Sequence, residues 1–323
     1  LKRIIDEIND ANKYIEVITT ASERYPEELG DTYKNVFKDL GADFVDVLDI
    51  RNRRDALDPE FEKRLENAAG VLFTGGDQLR LSTILGGTRL LDIIYEKYQN
   101  ENFIIAGTSA GAMVLSNSMI YHGSSVDSFN KGELKITSGF GFFPGVVIDT
   151  HFIKRGRFGR LAQAVSVNPA YTGMGIEEDT ALVVSHGNMM EVIGSGNVII
   201  VDGHMIKSSN ITDIGDGAPI SIDSLLVHVL ARGNGYRLSD RKFVTSVRDE
   251  ENVDRSEINA KEEAEDRIES LAPHTLLRDS KERSSGNGQD RGREREREHG
   301  RSREREGRIG REKSSRSSRD EEE

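Results

Sequence analysis

Along the first 247 residues, short apolar runs alternate with amphipathic stretches, at spacings that predict strand, turn and helix in repeated succession. Strands are predicted at Ile15 to Ile18, Phe44 to Leu48, Gly70 to Phe73, Phe103 to Ala106, Val146 to Ile148, Gly173 to Ile176, Ala181 to Val184, Met190 to Ile193 and Val198 to Val201. Helical periodicity covers Leu1 to Ala11, Tyr33 to Leu40, Phe61 to Ala68 and Leu90 to Tyr98; the last sets Leu91, Ile94, Tyr95 and Tyr98 on one face. Repeated βα units with near-continuous apolar strands predict an α/β fold, a doubly wound and mostly parallel sheet covered on both faces. The second half turns β-rich, with added hairpins expected around Gly187-Asn188 and Gly194 to Gly196.

The apolar pattern stops near residue 247. Residues 248–323 are rich in Arg, Glu, Ser and Gly, with few large apolar side chains to offset the entropy of ordering, and are expected to be a disordered charged tail. Residues 1–247 are then the domain that carries the chemistry. A formal net charge of −12 argues against a nucleic-acid-binding surface. No apolar run approaches the ~20 residues of a membrane span. Cysteine is absent, which excludes a thiol nucleophile, a disulfide framework and a Cys-ligated metal; no metal and no cofactor is expected. The chain opens at Leu1 inside a helical pattern, so its N-terminus reads as truncated and a lost signal peptide stays open; the expected compartment is the cytoplasm.

The chemistry-bearing motif is Gly107 to Gly111 (GTSAG), between a predicted strand and a helix-like run. A G-x-S-x-G turn holds its serine in a strained conformation above the sheet and aims the next backbone N–H at a developing oxyanion. Ser109 is the candidate nucleophile and Ala110 the first oxyanion donor. A serine needs a base, usually oriented by an acid. Of seven histidines, His228, His274 and His299 fall in a helix-like pattern or the tail, and His122, His186 and His204 fall in loops or turns. His151 follows the strand at Val146 to Ile148, where sites form in open α/β sheets. The basic run Lys154, Arg155, Arg157 and Arg160 comes next and reads equally as a solvated face or as carboxylate-binding forks. Glu177, Glu178 and Asp179 at another strand end offer an acid, without a choice among them. At a fourth strand end, the paired glycines of Phe73 to Gln78 let Gly76 or Asp77 complete the oxyanion hole.

Together, Phe73 to Gln78 (FTGGDQ), Gly107 to Ala112 (GTSAGA), Asp149 to Phe152 (DTHF) with Arg155, Arg157 and Arg160, and Gly175 to Ala181 (GIEEDTA) resemble the cyanophycinase family. The resemblance covers nearly all of residues 1–247. It implies a fold similar to class I glutamine amidotransferases and a serine-type exopeptidase that degrades cyanophycin, a polyaspartate with arginine on each side-chain carboxyl, to β-aspartyl-arginine. It further implies Ser109 as nucleophile, His151 as general base, Glu178 as its orienting acid, and substrate contacts at Gln78, Asp149, Arg155, Arg157 and Arg160. Relatives suggest a homodimer. Two departures stand out. Thr150 takes the place where the family has Gln, beside the base and among the expected substrate contacts, and the chain starts inside the first helix where the family begins with a strand. Two alternatives stay beside this reading: an aspartyl or isoaspartyl dipeptidase acting on β-aspartyl peptides, and a non-catalytic binding protein of the same fold.

Overall fold

The structure, a computed structural model, describes residues 1–8, 14–42 and 44–248. Four short strands, β1 (Ile15–Ile18), β2 (Val45–Leu48), β3 (Gly70–Phe73) and β4 (Ile104–Gly107), pair in parallel in the order β2-β1-β3-β4. Alternate residues of these strands face opposite ways, and both faces are apolar. Ile15, Val17 and Leu72 pack against Phe37 of helix α2 (Pro26–Asp39) and Ile4 and Ile5 of α1 (Lys2–Asp6). Ile18, Val71 and Phe73 pack against α3 (Pro59–Asn67), α4 (Gln78–Leu85) and α5 (Arg89–Asn100), through side chains such as Leu65, Leu81, Ile93 and Ile94. Burial on both faces is why β3 reads as a continuous apolar run, while Glu16 of β1 and Asp46 of β2 interrupt theirs and pair with Arg64.

After the short helix α6 (Ala110–Met113), β5 (Ser118–His122) and β6 (Lys135–Ser138) form an antiparallel pair. The chain continues through β7 (Val146–Thr150), α7 (Phe158–Val167), β8 (Thr172–Ile176), β9 (Thr180–Ser185), β10 (Met189–Gly194) and β11 (Val198–Asp202). It ends with the two-residue pair β12 (Ser208–Ser209) and β13 (Ile222–Asp223), then β14 (Leu226–Leu230), β15 (Gly235–Arg237) and β16 (Lys242–Val244). Strand β7 pairs with β8 in parallel, and β11 and β14 extend that sheet antiparallel in the order β14-β11-β8-β7. A further antiparallel sheet runs β16-β15-β10-β9. Val146, Ile148, Met174 and Ile200 of one sheet and Met190, Val192 and Tyr236 of the other belong to one buried apolar cluster.

The predicted strands recur in the structure within a residue or two of their expected ends, and the result is a mixed α/β fold with a parallel sheet. The hairpin around Gly187-Asn188 forms, joining β9 to β10. The one expected around Gly194 to Gly196 does not: β11 leaves β10 and pairs with β8 and β14. Gly194, at φ +106°, carries the chain directly over the Asp179 carbonyl, a path that a side chain would block. Of the predicted first helix, residues 9–11 lie outside the described residues, as does the charged segment from residue 249 onward.

Candidate active site

The candidate site is assembled at strand ends. Ser109 sits between β4 and α6 with φ 52° and ψ −114°, a conformation that L-residues avoid and that costs of the order of 1–3 kcal/mol. The flanking glycines make that turn possible. A Cβ on Gly107 would fall 2.3 Å from the Gly111 carbonyl oxygen, and one on Gly111 would fall 2.0 Å from that of Phe73. Tyr33 braces the turn from α2, its hydroxyl 2.9 Å from Thr108 Oγ1.

His151 follows β7, also with positive φ, and its Nε2 lies 3.0 Å from Ser109 Oγ. Its Nδ1 lies 3.1 Å from Glu178 Oε1. With the proton on Nδ1, donated to the carboxylate, Nε2 faces the serine as an acceptor. Of the three acids offered by the sequence, the structure brings Glu178 to the imidazole. Its neighbour Glu177 turns back and accepts the N–H groups of Ile153 at 2.5 Å and Lys154 at 3.1 Å, tying the acid turn to the loop after His151. Phe152 lies flat against β8, where a Cβ on Gly175 would fall 2.4 Å from its ring.

Lys154 is a contact that the sequence did not single out. Its Nζ donates to Glu178 Oε2, so the carboxylate is shared between the imidazole and an ammonium. The Lys154 hydrogen bond, followed by that of His151, holds the Glu178 carboxyl below the usual carboxylate range. Glu177 also lies below it: partial burial opposes its charge, but the amides of Glu178, Lys154 and Ile153 outweigh that. A basic run resembles any solvated face in sequence, and only folding shows which of its members reaches the acid.

The acid turn has its own brace. Thr180 donates its hydroxyl to the Glu178 carbonyl at 3.0 Å and accepts the Gly196 N–H at 2.9 Å. Ser195 N–H goes to the Asp179 carbonyl and Glu177 N–H to that of Asn197. The glycine turn expected to close a hairpin is thus packed under the acid.

Gly75 and Gly76 lie beside the serine. A Cβ on Gly75 would stand 3.3 Å from Ser109 Cβ, and Gly76, at φ +143°, is pressed on the Ala21 carbonyl. Thr74 and Asp77 give their amides to Ile18 and Ala21, and Asp77 caps α4 by accepting the Leu79 N–H at 2.8 Å. Ala110 is the first residue of α6, so its N–H has no intrahelical acceptor. The amides of Gly76 and Ala110 donate no hydrogen bond among the described residues.

The remaining expected contacts divide by burial. Asp149 is fully buried and accepts two hydrogen bonds from Arg160, one from Arg157 at 3.0 Å and one from the Thr150 N–H. Arg160 is buried with it, while Arg157 is partly exposed and also donates to the Thr150 carbonyl at 2.7 Å. Burial lowers Arg157 from the ordinary guanidinium value, and Asp149 opposes that fall. Arg155 is exposed. Gln78 donates to the Ile120 carbonyl at 2.9 Å. Thr150 is buried, and its hydroxyl has no partner among the described residues. Chemically, the arrangement can activate a serine, stabilise an oxyanion and hold carboxylates on fixed guanidinium groups.

A family model described as peptidase family S51 matches residues 1–192. The chain is 37% identical over 234 residues to a cyanophycinase of Nostoc sp., covering 72% of this chain and 78% of that protein. It is 38% identical over 224 residues to a cyanophycinase of Synechococcus elongatus, covering 69% of each. Among solved structures, a peptidase from an acI-B1 Actinobacterium is similar with a TM-score of 0.52 at 26% identity, over 73% of this chain and 88% of that one.

Proposed function

The chain belongs to peptidase family S51, and from that premise we propose that it is a cyanophycinase, a serine-type exopeptidase that releases β-aspartyl-arginine from cyanophycin. The observation that carries the reading is the unbroken hydrogen-bonded series Ser109, His151, Glu178, in a chain so similar to cyanophycinases over most of its length. Ser109 Oγ attacks the backbone carbonyl of an aspartyl residue as His151 Nε2 takes the hydroxyl proton. The imidazolium returns that proton to the leaving amine. Water, deprotonated by His151, then cleaves the acyl-enzyme and restores Ser109. Glu178 keeps the imidazole oriented and stabilises its positive charge. The amides of Gly76 and Ala110 receive the oxyanion.

The polymer supports a division of labour among the remaining residues. Each arginine arm, joined through its amino group, keeps a free carboxylate and a free guanidinium. Arg155 and Arg157 are the forks available for the carboxylate. Asp149 and Arg160 act from behind, holding Arg157 in place. Gln78 and Thr150 belong to the same expected set of contacts, Gln78 being held on the Ile120 carbonyl and the Thr150 hydroxyl being buried beside the base. We read the fold as doubly wound and of the class I glutamine amidotransferase type, supported by the parallel sheet with apolar packing on both faces. A homodimer acting in the cytoplasm belongs to the same proposal. Leu226, Val227 and Val229, exposed on the edge strand β14, support self-association, which sedimentation would measure. No helix among the described residues is long and apolar enough to cross a membrane.

The test is incubation with purified cyanophycin, with products identified by mass spectrometry. Wild type should release β-aspartyl-arginine, and Ser109→Ala should lower turnover by about 10⁴-fold or more. Intact polymer with folded wild-type protein would overturn the assignment, and turnover confined to short β-aspartyl peptides would make the protein a dipeptidase.

A further inference from the structure

An open, charged depression lies at the same carboxyl end of the parallel sheet as the serine. It has a volume of about 470 Å³ and is lined by Arg24, Pro26, Glu27, Glu28, Asp49 and Arg51. These residues follow the carboxyl ends of β1 and β2, as Gly75 and Ser109 follow those of β3 and β4. The route between the two places is short: Gly75 faces Ser109, Gly76 rests on the Ala21 carbonyl, and Arg24 follows Ala21 by three residues. With neighbouring strands ~4.8 Å apart, the cavity lies about two to three strand spacings from the nucleophile.

Its charges are mixed and incompletely paired. Arg51 is taken by Asp49 and by Glu27, whose Oε1 lies 3.4 Å from Arg51 Nη2. The side chains of Arg24 and Glu28 make no hydrogen bond or ion pair among the described residues. One free guanidinium and one free carboxylate face a common space. The ligand that this suits carries a carboxylate and a cation a few bonds apart.

We propose that this cavity is an exosite for the zwitterionic arginine arm of a polymer residue away from the scissile bond. The inference rests on the cyanophycinase reading above. Arg24 takes the arm's carboxylate, and Glu28, with Glu27 beside it, takes the guanidinium. An extended backbone advances ~3.4 Å per residue, so the arm belongs to about the third or fourth residue from the bond being cut. The site holds the polymer while successive dipeptides leave, and a substrate of two units is too short to reach it.

The experiment compares steady-state kinetics of the full chain on soluble cyanophycin and on the two-unit substrate (β-Asp-Arg)₂, for wild type, Arg24→Ser, Glu28→Gln and the double variant. In the double variant, KM for the polymer should rise about five- to tenfold with kcat unchanged, as expected for partly exposed charge contacts, while both parameters for the two-unit substrate stay at wild-type values. An unchanged polymer KM, or an equal loss on both substrates, overturns the exosite. If wild type cleaves neither substrate, the cyanophycinase reading itself fails and takes the exosite with it, an outcome distinct from the other two.

Discussion

At the scale of single residues, the site depends on backbone conformations that side chains normally avoid. Ser109, His151 and Asp179 all have φ near +50°, and each lies in or beside the proposed triad. The strain is maintained because glycines 107, 111 and 194 let the backbone approach where any side chain would collide. Lys154 adds a tunable charge. Its ammonium is the largest influence lowering the Glu178 carboxyl, so the carboxylate survives to a pH below its ordinary range and is lost as pH falls through that depressed value. Lys154→Met removes this influence and should raise the pH at which the Glu178 carboxyl titrates, read directly from its carboxyl carbon NMR shift against pH. A titration that does not move would show that Lys154 does not set the ionisation of Glu178. The sequence shows Lys154 only as one member of a basic run, since nothing in its spacing tells which lysine or arginine will fold back twenty-odd residues onto an acid.

At the scale of elements, three turns from three strands must keep their relative positions within a hydrogen bond's tolerance. The turn after β8 carries Glu178 and is held by Thr180, by Glu177 and by the glycine turn after β10. This makes Thr180 a positioning residue. Thr180→Val keeps the volume and removes both hydroxyl hydrogen bonds, so kcat should fall about tenfold with KM little changed, and Thr180→Ser should restore it. Equal losses in both variants would assign the effect to packing. The Gly194 to Gly196 turn illustrates what element-level reading missed. Local pattern predicts a hairpin there, but β11 finds a better partner in β8, where it is buried along its whole length.

At the scale of the molecule, the two later sheets are joined by a buried polar clamp. Asp202 at the end of β11 is buried, and it accepts from Arg241 Nη1 at 2.6 Å and from the Tyr236 hydroxyl at 3.2 Å. Burial, and then the Asp202 charge, push the Tyr236 hydroxyl well above its ordinary value. Asp202→Ala leaves the Arg241 guanidinium without its counter-charge and a buried hydroxyl without its acceptor, and should destabilise the fold by about 3 kcal/mol in chemical denaturation. Turnover by the protein that remains folded should be unchanged. The sequence by itself determined nine of the sixteen strands among the described residues, because burial on one or both faces writes itself into apolar period; it did not mark β5, β6 or β12 to β16, and His228, read in a helix-like pattern, lies in β14. It also marked Ser109 as a candidate, because a serine between glycines at a strand-to-helix turn can serve as a nucleophile, a pattern shared with ordinary glycine-rich turns. Which acid faces His151, that Asp149 and Arg160 turn inward to each other, and that Lys154 and Thr180 hold the acid were decided only by the tertiary structure. Those pairings join residues from separate strand ends, and neither composition nor local spacing carries the distances between them.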